Sequence, residues 1–496
     1  MNTPDKLESR LYIDGKWMRG EAASRPVLSP TTGAPIAEVS EATVAQTLLA
    51  IEAARKAQPA WAAKSPLERA QVMKRVAALV RRDAERLAQI VVLEQGKPIN
   101  EARGEVGGTS EFFEYYAEFA RRIQGEILPS DFPGEQIWIQ RVPIGVVGAI
   151  IPWNYPSALV SRKVAPALIA GDTVVLKPHE LTPLSALEMA RIFDEAGVPA
   201  GVVNIVTGAG ATVGETISSS PDINLITMTG SVPTGKRIMA AAAANVTPVS
   251  LELGGKAPFI VMADADIDLA VRSAITSRYM NCGQVCICNE RTLVQREVYD
   301  EFVRRFVAAS AALRIGSPFD ETTDLGPKVS LEELEKVERY VQQAVADGAK
   351  LALGGHRPAQ LPTPGGYWFS PTVLTEVDPG MEVMRREIFG PVLPIVPFER
   401  FDDALKIVND SRYGLSAYLF TNDMPTIMRA VTDVGFGEVY INRVGPESLQ
   451  GFHGGYGESG LGGDDGAHGL EAYLRKKTVY MNYSGRATVP LMPYRP

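Results

Sequence analysis

Cysteine is scarce in this 496-residue sequence, with only Cys282, Cys286 and Cys288, all in the run NCGQVCIC (281–288). A secreted disulfide framework spreads an even number of cysteines along the chain, so that class is excluded. Histidine is almost as rare, with four residues, His179, His356, His453 and His468, none beside the cysteines in sequence. The spacing CxxxCxC is not that of a structural zinc site, and no metal is expected. No apolar run could span a bilayer; the best, Ile144 to Ile151, is short and is followed by Pro152. The start, MNTPDKLESR, lacks the apolar stretch of a signal peptide. There is no basic block, and the formal charge of −8 is unfavourable for a polyanion. The expectations are therefore no membrane, no nucleic acid and a cytoplasmic location. A hydrophobic share of 45% with 22% charged residues is that of a globular enzyme, which excludes a disordered chain.

The length suggests roughly three domains. Leu11 to Trp17 alternates around Asp14-Gly15, the pattern of a hairpin. From about Thr43 to Arg122 apolar residues recur at three and four, predicting helices punctuated at Gly96 and Pro98. After Val142 short apolar runs alternate with helical stretches: GVVGAII (145–151), DTVVLK (172–177), VVNIV (202–206), INLITMT (223–229) and VSLEL (249–253). That alternation predicts βα units and a parallel sheet covered on both faces. A second alternation starts at PFIVM (258–262) and runs to about Tyr440. KTVYMNY (477–483) reads as a lone strand with nothing nearby in sequence to pair with, so another subunit is its expected partner. The low-charge segment Ile137 to Val142 is a second candidate for such a contact.

Two glycine-rich loops lie in the first sheet. Gly230 to Lys236 nearly matches a P-loop, but Arg237 stands where Ser or Thr would bind magnesium. GAGATVG (208–214) approaches a dinucleotide fingerprint with one residue too many. Either alone reads as an ordinary turn; together they favour a phosphate-bearing cofactor. The cysteine run reads as small buried residues, a metal site or a nucleophile, and spacing does not choose among the three thiols.

Seven ordered motifs settle more. PWNYP (152–156), VVLKPHE (174–180), TGSVPTG (229–235), LELGGK (251–256), GQVC (283–286), EIFGP (387–391) and SGLGG (459–463) make the chain resemble the aldehyde dehydrogenase superfamily from about Tyr12 to Tyr483. The tail LQGFHGGYGESGLGGDDGAHGL (449–470) is most similar to that of lactaldehyde and glycolaldehyde dehydrogenases. The resemblance implies an α/β fold in three parts. These are a Rossmann-like cofactor domain (1–122 and 143–253), a second α/β catalytic domain (254–472) and a small β oligomerisation element (123–142 and 473–496). It also implies a homo-oligomer, tetramer or dimer.

It further assigns roles. Cys286 is the implied nucleophile, which attacks the aldehyde carbon. The Asn154 side-chain amide, with the Cys286 backbone N–H, stabilises the oxyanion. Glu252 is the base that activates water for thioester release, and Lys163 helps relay the proton, with Asp464 as a continuation of that path. Ile151, Pro152, Trp153, Lys177, Pro178, His179, Glu180, Gly210, Gly214, Glu215, Ser231, Lys336, Glu387 and Phe389 would bind the cofactor. Glu180 favours a free ribose 2′-hydroxyl, hence NAD; His179 leaves NADP open. Where relatives for fatty or aromatic aldehydes place rings, this chain has Arg162, Glu447 and His453, which fit a small 2-hydroxyaldehyde. Arg162 also fits a rival substrate, an anionic semialdehyde such as succinate semialdehyde. The alternative for Arg162 and Glu447 is that they pair with each other. Cys282 reads as incidental, and Cys288 as buried packing or a redox partner of Cys286. Rival classes are a dinucleotide-independent cysteine esterase, a non-enzymatic structural protein and an NTPase at Gly230.

Overall fold

All five apolar runs after Val142 become strands, because β-branched residues buried on both faces suit the interior of a parallel sheet. In a computed structural model describing residues 7–486, they are Val146–Ile150, Thr173–Lys177, Val203–Ile205, Leu225–Thr229 and Val249–Glu252. They pair in parallel in the spatial order Val203, Thr173, Val146, Leu225, Val249. The predicted hairpin closes one edge: Leu11–Ile13 pairs antiparallel with Lys16–Met18 and, through Tyr12, with Ile205. At the other edge Gly460–Leu461, from the second half of the chain, pairs with Leu251 and Glu252. That return brings the SGLGG segment to the strand that carries the candidate base.

The helical region resolves into Val44–Ala62, Pro66–Arg82, Ala84–Gln95 and Ile99–Ala117. Thr43 and Ser65 start the first two through capping boxes with Gln46 and Glu68. Gly96, at φ 90°, ends the third. The second sheet has seven strands in the order 350–353, 372–375, 392–398, 289–295, 257–261, 416–420, 438–441, all parallel except the first.

The strand expected to look outside the chain finds its partner within it. Leu474–Asn482 pairs antiparallel with Glu135–Pro143 in continuous register, Leu474 opposite Pro143 and Asn482 opposite Glu135, and Glu126–Pro129 adds a third strand. The two strands fall, Pro143 aside, in the segments 123–142 and 473–496 that the resemblance joins in one β element, although more than three hundred positions separate them. The expectations that fall on residues 1–6 and 487–496 lie outside the described residues. Among the described residues no helix is long and apolar enough to cross a membrane.

Candidate active site

Cys286 follows a backbone that L-residues rarely adopt. Asn281 and Cys282 have φ of 49° and 56°, and Gly283 has 71°. A Cβ on Gly283 would lie 2.4 Å from the Gly390 carbonyl oxygen, so only glycine fits there. Such strain persists where surrounding bonds over-determine it. Here the buried Arg278 guanidinium supplies them: it donates to the carbonyls of Gly283 (2.9 Å) and Asn289 (2.6 Å), to the Cys288 sulfur (2.7 Å) and to Glu290 (3.1 Å). Glu290 also accepts from Lys256 (2.7 Å) and from the backbone N–H groups of Ile388 and Phe389. This buried cluster ties the cysteine loop to the EIFGP segment. Cys282 and Cys288 are buried free thiols, and burial pushes both up to about 12. Cys286 is the half-buried one, which separates it from its neighbours as a nucleophile candidate.

Asn154 stands opposite. Its side-chain N–H donates to the Gln284 carbonyl (3.0 Å), and its own carbonyl accepts from Asn281 and from the buried Lys97 (both 2.9 Å). Lys97 also donates to Glu105 (2.5 Å), whose other oxygen accepts the N–H groups of Ser157 and Ala158. A carboxylate at a helix start is favourable, and this helix, Ala158–Ala170, presents Arg162 and Lys163. Lys163 donates to Asp464 at 2.6 Å, both fully buried, so the expected continuation of its path is in contact.

Glu252 ends its strand 2% exposed, and neither carboxylate oxygen accepts a hydrogen bond. Burial pushes its carboxyl up to about 8, opposed chiefly by His453. His453 Nε2 lies 3.5 Å from Glu252, and Nδ1 lies 3.0 Å from Glu438 and 3.9 Å from Glu447. Against burial, Glu447 and Glu252 push the imidazole well above its usual range. Arg162 donates through Nε to Asp465 (3.0 Å) and through Nη2 to both Asp465 and Glu447. The pairing alternative for Arg162 and Glu447 is what the structure contains, with Asp465 added. Burial raises the Cys286 thiol, and His453 is the chief group opposing it, a cationic influence that no sequence feature assured.

The cofactor candidates gather at the carboxyl ends of the parallel strands, where such sheets bind ligands. Lys177 Nζ lies 3.2 Å from Glu180, and Glu180 accepts the Gly210 N–H at 2.6 Å. A Cβ on Gly210 or Gly214 would make only ordinary contacts, with Glu180 (3.8 Å) and Lys177 (3.7 Å). Packing therefore does not demand glycine at either position, whereas a flat ligand lying on this backbone would. His179, Pro178 and Glu180 line a cavity with Arg25 and Glu41. Burial pulls His179 down to about 4 and keeps its ring neutral. Ser231 caps the helix Val232–Ala242. Ile151 donates to the Lys177 carbonyl (3.1 Å), Pro152 follows it, and Trp153 packs edge-on against Phe389 at 5.4 Å. Lys336 Nζ lies 5.8 Å from the same ring while paired with Glu333. Glu387 accepts the Gly255 N–H (2.9 Å) and is pushed up to about 7 by burial. Glu215 stands exposed at the start of the helix Glu215–Ser219. These donors, the cap and the glycine floor fit a dinucleotide. The P-loop-like Lys236 is instead tied to Glu458 (2.7 Å) at the surface. Among the described residues no group of three or more His, Cys, Asp or Glu could hold a metal ion.

Sequence reasoning missed Asp465, Glu438, Gln284, Arg278 and Arg25. For Asp465 the doublet Asp464-Asp465 was a usable signal. For Glu438 there was none, since a lone Glu before an apolar strand is usually solvated.

Comparison with known proteins agrees with this geometry. The aldehyde dehydrogenase family model matches residues 17–479. The chain is 48% identical to the 3,6-anhydro-alpha-L-galactose dehydrogenase of Streptomyces coelicolor over 92% of this chain and 93% of that one. It is 44% identical to the lactaldehyde dehydrogenase of Escherichia coli over 96% and 99%. A solved 3,6-anhydro-L-galactose dehydrogenase in complex with NAP superposes with a TM-score of 0.94 at 45% identity, covering 96% of this chain and 100% of that one. With the family model spanning nearly its whole length and relatives this close, the chain belongs to the aldehyde dehydrogenase family, oxidoreductases that act on aldehydes with a nicotinamide dinucleotide.

Proposed function

We propose that this enzyme oxidises a small neutral hydroxyaldehyde, such as lactaldehyde or glycolaldehyde, to its acid through a thioester on Cys286. The carrying observation is the charge around the substrate end. Arg162 is already held by Glu447 and Asp465, and His453 by Glu438. The Arg162 guanidinium is therefore not left over for a substrate carboxylate, which argues against an anionic semialdehyde. Carboxylates there accept hydrogen bonds from substrate hydroxyls, which an alkyl aldehyde cannot offer. Relatives named for lactaldehyde and for 3,6-anhydro-alpha-L-galactose, both neutral and hydroxylated, belong to the same substrate class.

In this reading Cys286 bonds to the carbonyl carbon while the Asn154 amide and the Cys286 N–H take the oxyanion. The bound dinucleotide supplies the hydride acceptor. Glu252 then takes a proton from water, and Lys163 with Asp464 carries charge away from the base. NAD is the proposed acceptor, because a carboxylate at Glu180, just past the end of its strand, would accept from a free ribose 2′-hydroxyl and repel a 2′-phosphate. NADP is the second reading, favoured by the Arg25 and Lys177 side chains near Glu180. A dimer or tetramer is part of the proposal. Among the described residues Leu474–Asn482 leaves one edge unpaired, and an open edge invites a partner. A cytoplasmic location fits three free thiols.

The test compares kcat/KM for lactaldehyde, glycolaldehyde, succinate semialdehyde and hexanal with NAD and with NADP, using Cys286→Ala as the blank. A hydroxyaldehyde should win with NAD. A win for hexanal or the semialdehyde would defeat the substrate argument, and a win for NADP would defeat the Glu180 argument.

A further inference from the structure

Residues 151–157 belong to neither strand nor helix, lying between Val146–Ile150 and Ala158–Ala170. Asn154 therefore depends for its position on side chains from elsewhere. Two of them form a buried ion pair: Lys97, just past Gly96, meets Glu105 of the helix Ile99–Ala117 at 2.5 Å, both side chains 0% exposed. Stability does not explain such a pair, since apolar residues of similar size are often as good. Its contacts do. Lys97 Nζ donates to the Asn154 carbonyl (2.9 Å) and stands 3.6 Å from the centre of the Tyr155 ring. The other Glu105 oxygen accepts from the backbone N–H groups of Ser157 (2.7 Å) and Ala158 (3.2 Å). The helix Ala158–Ala170 has no side-chain cap of its own, so Glu105 supplies the acceptor its first turn lacks. The hydrogen bonds these two side chains make beyond their own all fall within residues 154–158.

A second set of bonds ties the same carbonyl to the cysteine loop. Asn281 Nδ2 donates to the Asn154 carbonyl at 2.9 Å. Asn281 is itself held by Gln95, which donates to its Oδ1 (2.8 Å), and by Glu101, which accepts its backbone N–H (2.8 Å). The Asn154 side chain spends one N–H on the Gln284 carbonyl (3.0 Å), which leaves the other for a ligand.

We propose that Lys97 is a positioning residue for the oxyanion site: its ammonium, anchored by Glu105, fixes the Asn154 main chain so that the remaining amide N–H meets the carbonyl oxygen of an aldehyde bonded to Cys286. This rests on the Asn154 and Cys286 roles proposed above. Lys97 exchanges no proton and acts through Asn154 alone. A donor held in place before the reaction needs no reorganisation during it, and a displacement of about 1 Å can cost about 10²-fold.

The test is a double-mutant cycle on the single-turnover rate of reduced dinucleotide formation by the full-length enzyme, with the best aldehyde of the four compared above. Lys97→Met should slow this step by about 10–10²-fold, while iodoacetamide alkylation of Cys286 stays within about twofold of wild type. Asn154→Ala should slow it by about 10²–10³-fold, and adding Lys97→Met to Asn154→Ala should cost no more than about threefold further. An equal loss in both backgrounds, or a loss below about threefold in Lys97→Met alone, overturns the proposal. Alkylation that falls in step with turnover also overturns it, because Lys97 then supports the whole cysteine loop rather than Asn154. Should Lys97→Met not fold, because it leaves Glu105 buried and unpaired, Lys97→Met with Glu105→Gln removes both charges and carries the same criteria. A loss under about tenfold for Asn154→Ala alone refutes the oxyanion role and this proposal with it, whereas an additive cycle refutes the proposal alone.

Discussion

Arg162→Met is the sharpest probe of the charge cluster. The wild-type guanidinium makes three charge-assisted bonds, two to Asp465 and one to Glu447, in a place where its side chain is 11% exposed. Methionine fills much of the volume but leaves both carboxylates without their cation. Breaking a buried pair from one side costs about 3–5 kcal/mol. The loss should depend on pH in a defined direction. In wild type, Arg162 and His453 hold Glu447 well below the usual carboxylate range against burial. Its contribution is therefore present above its unfolded value near 4.5 and is lost only as the pH falls below that. In the variant Glu447 moves above its unfolded value and Asp465, which burial already raises in wild type, moves further up, so the folded state binds more protons than the unfolded one. Its stability then rises as the pH falls from 7 to 5, by about 1.4 kcal/mol per pH unit for each group that titrates. Urea unfolding of both proteins at pH 7 and pH 5 measures this. The deficit should be largest at pH 7 and should narrow by about 1–3 kcal/mol at pH 5. Adding Asp465→Asn and Glu447→Gln should recover at least half of it. A deficit under about 1 kcal/mol at pH 7, or one indifferent to pH, would refute the reasoning.

Two further outcomes follow from the site. Asn154→Ala removes the side-chain donor and should lower kcat by about 10²–10³ with the fold intact by circular dichroism; a loss below tenfold would remove Asn154 from the oxyanion role. Glu252 must be deprotonated to act, and burial pushes it up to about 8, so wild-type kcat should rise with pH and level off above that value. Glu252→Gln should lose this rise, fall by about 10²–10⁴ and accumulate a Cys286 acyl adduct visible by intact mass; rapid turnover without an adduct would count against it.

The alternation of apolar runs with helical stretches was enough to place five parallel strands and an N-terminal helical region broken at Gly96 and Pro98, because residues 3.6 or 2 apart share a face whatever surrounds them. The family resemblance, carried by seven ordered motifs, named Cys286, Asn154 and Glu252 as candidates. Pairing across distance was not legible from local pattern, and only the resemblance joined 123–142 with 473–496. Leu474–Asn482 found Glu135–Pro143 in its own chain, and Gly460–Leu461 crossed to the first sheet, because register depends on which edges the packed body leaves open. The sequence alone therefore decided the local elements. Tertiary structure alone decided which charges meet. Arg162 and Asp465 are 303 positions apart, and His453 meets both Glu252 and Glu438. Electrostatic partners are chosen by distance in a low-dielectric interior, and that distance exists only once both sheets have closed around the site.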